Sequence, residues 1–276
     1  MNIVKASGER EAYSREKFCD SLKNTGVSED LVNRVCLVVE KQVKEGMTTE
    51  EIFQKTAAAL SKESPALAAR YSLKRGIMDL GPSGFLFEQY IAAVLREYGY
   101  QTNTNQIIRG ACVSHEIDIE VRAKDAHYFV EAKYHNSRGV VSDIQVVMYM
   151  HARLLDITEY HEKIERDAPV SHRAWLITNT RFTEKAIAYA KCKNIRITGW
   201  RYPRAEGLER LIEAKGLYPV TLLPGVNQYA KDQFAKRGIY FAKDLINFSP
   251  ENFQHLFGIY QRAAKQIQQQ AKELCV

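Results

Sequence analysis

The spacing of hydrophobic positions changes near residue 81, and the change divides the chain. Before it, a short alternating hairpin (Ile3 to Lys5 and Arg10 to Tyr13, about a Ser7-Gly8 turn) gives way to apolar residues three and four apart. Phe18 and Leu22 share one face of a helix that Ser14 opens as N-cap and Gly26 ends. Val32, Val35, Val39 and Val43 line a second helix, stopped by Gly46. Thr48 and Glu51 have capping-box spacing ahead of a third helix with Ile52, Thr56 and Leu60 inside. Pro65 starts a fourth, running to about Met78. The cluster GPSG at 81–84 predicts a linker. Beyond it, the pattern predicts a helix over about 85–97, strands near 105–109, 116–122 and 127–134, and a long helix over about 141–166. A buried strand follows over 173–178, then a helix over 183–193 and a strand over 195–199. This alternation implies α/β layers about a mixed sheet. From Tyr218 the chain is helical again, punctuated by LPGV and FGI. The expected fold class is α+β and multi-domain: a hairpin plus helical bundle over 1–80, a linker at 81–84, an α/β domain over 85–217 and a helical tail over 218–276.

Composition narrows the class without changing the outline. The 276 residues are 45% hydrophobic and 26% charged, ordinary values for a globular protein. No apolar run reaches the 18 or so residues of a membrane span, so no membrane partner is expected. The start, MNIVKASGER, lacks the apolar core of a signal peptide, and a cytoplasmic location is expected. The five cysteines (19, 36, 112, 192, 275) form no CxxC pair and are expected to be reduced structural thiols. The missing CxxC pairs also argue against a zinc-ribbon regulator. Net charge is +6, and between Arg181 and Arg204 seven Lys or Arg face one acid, Glu184, with Trp200 and Tyr202 interleaved. Such a stretch suits a nucleic-acid backbone, with Lys191, Lys193 and Arg201 as candidate contacts; a solvated basic helix face has the same composition.

The segment HEIDIEVRAKDAHYFVEAKYHN, residues 115–136, concentrates the candidate chemistry. Alternation places Glu116, Asp118 and Glu120 on one face of the first strand, and Glu131 and Lys133 on one face of the second. Carboxylates from paired strands lie about 4–6 Å apart and repel unless a cation separates them. Oxygen ligands favour Mg²⁺ or Mn²⁺, beside which a lysine can position a water and stabilise charge on a phosphate. A solvent-facing hairpin with cross-strand charge pairs gives the same pattern, and the hairpin alone does not decide between them.

The order of the surrounding residues adds a resemblance. Glu88 in a preceding helix, then Asp118, then Glu131-x-Lys133, resembles the E…D…(D/E)xK signature of restriction-endonuclease-like nucleases, and most of all their Mrr-type branch. GFLFEQYIAAVLREYGY and RAWLITNTRFTEKAIAYAKCKNIRITG fit that branch over about 84–200. The branch often has glutamine where Glu131 stands. The resemblance implies that Asp118, Glu131 and the carbonyl of Ala132 ligate the metal, that Lys133 positions the attacking water and that Glu88 supports the site. Gln145 and Tyr149, at i,i+4 on one helix face, look like the Q-x-x-x-Y pair of exonuclease branches, and helix packing would place them equally well. His115 and His135 are read as peripheral.

Two further segments carry resemblances. Around the first hairpin Lys5, Gly8, Arg10 and Lys17 could neutralise a polyphosphate, although solvated lysines fit the pattern too. IVKASGEREAYSREK, TTEEIFQKTAAAL and ARYSLKR resemble an ATP-cone over about residues 1–80, with Val4, Lys5, Gly8, Tyr13 and Lys17 in the family's order. Where that family usually has a basic residue after the motif lysine, Ala6 stands here. The resemblance implies ATP or dATP as a regulatory ligand and a homo-oligomer. The tail resembles a helix-hairpin-helix module, with LPGV and LFGI as hairpins whose Gly225 and Gly258 would let backbone amides meet a DNA phosphate. Together these predict a metal-dependent DNA nuclease under adenine-nucleotide control; the alternative is a catalytically inactive, nucleotide-responsive DNA-binding protein.

Overall fold

A computed structural model describes the chain except residues 6, 24–27, 82, 124–125, 138, 166–170 and 276. The helix stop expected at Gly26, the unusual Ala6 and Pro82 of the expected linker lie outside the described residues. The chain divides into two compact units, Ile77–Leu217 and the paired segments Met1–Gly76 and Tyr218–Val276.

The N-terminal segment begins with an antiparallel hairpin of β1 (Asn2–Val4) and β2 (Arg10–Ala12), turned at Gly8 with a φ of +82° that favours glycine. Helices α1 (Arg15–Lys23), α2 (Glu29–Glu40), α3 (Thr49–Glu63), α4 (Pro65–Tyr71) and α5 (Leu73–Met78) follow. The capping box of α3 forms as its spacing predicts: Thr48 Oγ1 accepts from the Glu51 amide at 3.1 Å, and Glu51 Oε2 accepts from the Thr48 amide at 2.8 Å. Three expectations change. Helix α2 ends at Glu40, so Val43 is buried from the connection after the helix. The single helix expected over 65–78 is two, broken at Ser72, whose hydroxyl bonds back to the Ala68 carbonyl at 2.8 Å. Cys19 and Cys36 form a disulfide with Cα atoms 5.9 Å apart, because packing α1 on α2 brings together two cysteines that the sequence separates by 17 positions. The other cysteines are free.

In the central unit, α6 (Phe85–Glu97) leads into β3 (Gln101–Arg109), β4 (Ser114–Arg122) and β5 (Ala126–Lys133). The two-residue β6 (Val141–Ser142), α7 (Ile144–Tyr160), β7 (Ser171–Thr178), the two-residue β8 (Arg181–Phe182), α8 (Glu184–Cys192), β9 (Arg196–Thr198) and α9 (Leu208–Ala214) complete it. The sheet order is β3-β4-β5-β7-β9; β3, β4 and β5 are antiparallel, while β7 and β9 continue parallel to β5. Helix α6 packs on β3, β4 and β5. Phe129, Leu176 and Ile197 of the sheet join Val147, Met150 and Ile157 of α7 and Ala186 and Ala190 of α8 in one core. The helix expected over 141–166 begins at Ile144 instead: Val141–Ser142 pairs with Arg181–Phe182, and Asp143 caps the helix by accepting from the Gln145 amide at 3.0 Å.

The C-terminal segment holds α10 (Gln228–Ala235), α11 (Pro250–Phe257) and α12 (Gln261–Cys275). The sequence predicts separate domains at 1–80 and 218–276, but the two segments pack as one unit. Helix α12 buries Ala264, Ile267, Ala271 and Leu274 and lies against α4, and Arg70 reaches the Leu274 carbonyl at 3.4 Å. An amphipathic helix needs a partner for its apolar stripe, and this partner lies some 200 residues away in sequence.

A Cβ at Gly110, in the β3–β4 turn, would lie 2.6 Å from the Val113 carbonyl and 2.0 Å from Asp156 Oδ2. The carbonyl is backbone and cannot swing aside. Gly110→Ala is expected to destabilise the protein by about 1–3 kcal/mol in urea unfolding; an unchanged midpoint would show that the turn adjusts freely.

Candidate active site

The site assembles at one end of the five-stranded sheet. The register Ile119 against Val130, carried one step further, brings Asp118 opposite Glu131. Asp118 Oδ2 accepts a hydrogen bond from the Ala132 amide at 2.7 Å, which fixes the aspartate against β5. By alternation Glu131 and Lys133 point to the same side of the sheet as Phe129, the α7 side. On β3 the residue next to Asp118 in register is Asn105, with a φ of +54°, a local kink beside the aspartate.

Glu88 enters from the first turn of α6. Its neighbour Phe87 is fully buried and packs against the Tyr134 ring, centroids 5.5 Å apart, and the Tyr134 hydroxyl donates to the Met78 carbonyl. Burial pushes the Glu88 carboxyl above its ordinary value, with the charges of Glu131 and Glu116 adding to the effect. Asp118 is affected more. Burial first, then the charge of Glu131, outweigh the Ala132 amide and push its carboxyl up to about 7. The structure thus brings together Glu88, Asp118 and Glu131.

Lys133, half-buried, ends β5 opposite Thr178 of the parallel strand β7. Just beyond it His135 is held in place: its amide donates to Asn179 Oδ1 at 2.9 Å, its carbonyl accepts from Asn179 Nδ2 at 2.8 Å, and its ring nitrogen meets Ser142 Oγ at 3.0 Å. Ser142, Thr178 and Thr180 form a buried hydroxyl cluster at the carboxyl ends of the strands. Burial, and then the Lys133 charge, lower the His135 pKa, which favours the neutral imidazole. His115 lies elsewhere, paired at 2.7 Å with Asp156, whose carboxyl it holds at about 2.

Nothing in the sequence singles out Arg153 as part of the site. It is 7% exposed, and its Nη1 meets Glu131 Oε2 at 2.6 Å. Its one sequence signal is position: Gln145, Tyr149 and Arg153 follow at i, i+4 and i+8 on α7. Tyr149 is exposed, and its ring centroid lies 5.3 Å from the guanidinium carbon.

Other candidate residues lie apart from this cluster. Lys191 and Lys193 are exposed at the end of α8, and Arg201 is exposed in a turn with φ +62°, its amide donating to Glu209 Oε2 at 2.8 Å. Arg196 of the same basic stretch stacks on Trp175, 3.7 Å from the ring centroid. In the other unit, the Gly225 amide donates to Gln270 Oε1 at 2.9 Å, and Gly258, at φ +65°, caps the carboxyl end of α11. Around the first hairpin Lys5 pairs with Glu9 at 3.1 Å and with Glu11, and Lys17 pairs with Glu11 at 2.7 Å. Lys17 and Lys5 together hold the Glu11 carboxyl down at about 2. Val4 lies in β1 beside them, and Arg10 opens β2 exposed.

Asp118 and Glu131 each keep one oxygen outside these contacts, and all the donors are hard oxygens of the kind that suit Mg²⁺ or Mn²⁺. The donor set is small: among the described residues no three His, Cys, Asp or Glu side chains are gathered closely enough to hold an ion.

A helix, an antiparallel hairpin and parallel strands with an acid–acid–lysine cluster at the sheet end form a recognisable class. Residues 82–201 match the restriction endonuclease family, so this part of the chain is a restriction-endonuclease-like domain. Residues 218–275 match the family described as AF1548-like, C-terminal. An uncharacterized protein of Archaeoglobus fulgidus is 36% identical over 184 residues, covering 67% of this chain and 99% of its own length. A solved crystal structure, that of a protein of unknown function, AF1548, superposes with a TM-score of 0.59 at 33% identity, over 70% of this chain and 98% of that one. The chain belongs to this AF1548-like family of proteins with a restriction-endonuclease-like domain. Among the described residues, no helix is long and apolar enough to cross a membrane.

The raised Asp118 pKa has a thermodynamic consequence. A carboxyl titrating at about 7 when folded and at about 3.9 when unfolded binds more protons in the folded state between those values. Its stabilisation is therefore complete below about pH 4 and is lost as pH rises through 7. In EDTA, wild-type protein should lose more stability between pH 5 and pH 8 than Asp118→Asn in urea unfolding. Parallel losses would show that Asp118 does not titrate in that range.

Proposed function

We propose that this protein is a DNA nuclease that hydrolyses phosphodiester bonds at Glu88, Asp118, Glu131 and Lys133. One observation carries the proposal: in a restriction-endonuclease-like domain, Asp118 and Glu131 meet across paired strands, where burial and then the Glu131 charge push the aspartate's carboxyl up to about 7. Asp118, Glu131 and the Ala132 carbonyl would hold Mg²⁺ or Mn²⁺. When bound, such an ion lowers the pKa of water and offsets charge on the phosphate.

The chain's own residues set the rest of the chemistry. The Ala132 amide fixes Asp118 through one oxygen and leaves the other outside that bond. Lys133, one pleat beyond Glu131, orients the water in line with the phosphorus and stabilises the negative charge that grows on the phosphoryl oxygens as the P–O bond breaks. The attacking water gives up a proton to solvent as its oxygen bonds to phosphorus, and the leaving oxygen takes a proton from solvent. Glu88, in the first turn of α6 beside the buried Phe87, would support the donors from the α6 side. DNA would be held by its backbone through Lys191, Lys193 and Arg201 and by the C-terminal helical segment, in a sequence-independent way. The Gly225 amide could contribute only after releasing Gln270, and Gly258 only by its exposed backbone.

Residues 1–80 we read as an ATP-cone that binds ATP or dATP around Val4, Lys5, Gly8, Arg10 and Lys17 and regulates the nuclease, as a homo-oligomer. What supports this is the gathering of Lys5 and Lys17 beside the Gly8 turn. Both lysines are neutralised by Glu11, so a triphosphate has to compete with that carboxylate.

Plasmid and linear DNA incubated with Mg²⁺ should be cut, cutting should stop in EDTA, and Lys133→Ala should reduce the rate about 100-fold or more. No metal-dependent cutting, with or without ATP or dATP, would leave the alternative of an inactive, nucleotide-responsive DNA-binding protein. In calorimetric titration with ATP, Lys5→Ala should weaken binding and Glu11→Gln should tighten it several-fold. Equal heats for all three proteins would remove nucleotide control from the proposal.

A further inference from the structure

Arg153 presents a problem of charge. An arginine with 7% exposure is rare and needs several acceptors, because its five N–H groups all lose water on burial. Here Nη1 has Glu131 Oε2 at 2.6 Å, while Nε is buried with no hydrogen-bond partner among the described residues. A guanidinium built only to brace the fold would have that donor satisfied. What the position does supply is a positive charge against the acid of β5 that faces Asp118 and Glu88. A carboxylate cluster with no metal needs a cation, and α7 places one there.

We propose that Arg153 is a resident counter-ion of the active site: it holds Glu131 in the metal-free protein and gives up that carboxylate, in whole or in part, when a divalent cation binds. This rests on the reading of Asp118 and Glu131 as metal ligands and adds a control on their loading. Two features suit an exchange. Among the described residues the guanidinium has one carboxylate acceptor and carries an unmet donor, so leaving costs it less than leaving a bidentate pair would. It also has a second seat. The Tyr149 ring, exposed and one turn back on the same helix, already lies 5.3 Å from the guanidinium carbon and can keep a cation over its face. The exchange is between cations only, so no bond is made or broken and no redox partner is needed. The effect is a threshold: loading requires enough divalent ion to displace an intramolecular competitor.

The test is equilibrium binding of Mn²⁺ followed by electron paramagnetic resonance, with no DNA present. Arg153→Met, similar in length but uncharged, should bind Mn²⁺ about fivefold or more tighter than wild type, whereas Arg153→Lys, which keeps the charge, should stay within about twofold. A lesion that merely disordered the site would weaken binding, so a gain separates competition from structural damage. Equal or weaker binding by folded Arg153→Met overturns the proposal. Glu131→Gln is the control for the underlying reading. If Mn²⁺ binds wild type but does not depend on Glu131, or does not bind at all, the metal site fails and this proposal fails with it. If binding depends on Glu131 but is indifferent to Arg153, only this proposal fails. Should Arg153→Met not fold, the Arg153 Nε–H resonance of wild type, assigned by its loss in Arg153→Lys, serves instead. It should shift as Mg²⁺ is titrated in, and a stationary signal at saturating Mg²⁺ overturns the proposal.

Discussion

Strand β5 must satisfy two unlike neighbours, and the central unit is organised by that requirement. On one edge it runs antiparallel to β4, and on the other parallel to β7. The antiparallel edge needs only a short turn, so the acids of two adjacent sequence segments meet across it. The parallel edge needs a crossover, which α7 provides, and the crossover carries Arg153 back over the sheet to Glu131. Both edges fix the same residue. Glu131 faces Asp118 on one side of the chain's path and receives a cation from the other.

Electrostatics then follow from burial. A lone carboxylate taken partly out of water raises its pKa, and a second one nearby raises it further. Glu88 and Asp118 both show this, while Asp156 and Glu11, which are close to histidine or lysine partners, are held low instead. The contrast distinguishes two kinds of acid in one protein. Those held low fasten the chain: Asp156 accepts from the Cys112 amide at 2.8 Å and meets the His115 ring, which anchors the β3–β4 connection to α7. Those left with raised pKa values gather at the sheet end. Arg153 is the exception that keeps the second kind from being entirely uncompensated.

The other unit is held by different means. Its N-terminal segment closes through the Phe18, Leu22, Val32, Val35 and Leu60 core and the Cys19–Cys36 link, and its C-terminal segment through the Phe234, Phe253 and Phe257 rings, with centroids 4.9–6.2 Å apart. Gly76 accommodates the packing of one segment on the other: a Cβ there would lie 2.6 Å from the Leu222 side chain.

Local chemistry was legible from the sequence. The Thr48–Glu51 capping box, the helix over 85–97, the alternating strands and the acid–acid–lysine order all depend on residues a few positions apart, and short-range preferences fix them. Alternation also placed Glu131 and Lys133 together, since a period of two leaves no other choice. What the sequence could not supply depends on which distant elements touch. Arg153 lies 22 residues beyond Glu131 and reads as an ordinary helix arginine until α7 is laid on the sheet. Cys19 and Cys36 read as separate thiols until α1 meets α2. The start of α7 shifted to Ile144 because β6 pairs with β8, a contact across 40 positions. The two terminal segments read as separate domains until α12 found α4. Periodicity and capping are properties of neighbours, so the chain alone determines them. Charge balance, disulfide pairing and domain membership are properties of packing, and only the tertiary structure decides those.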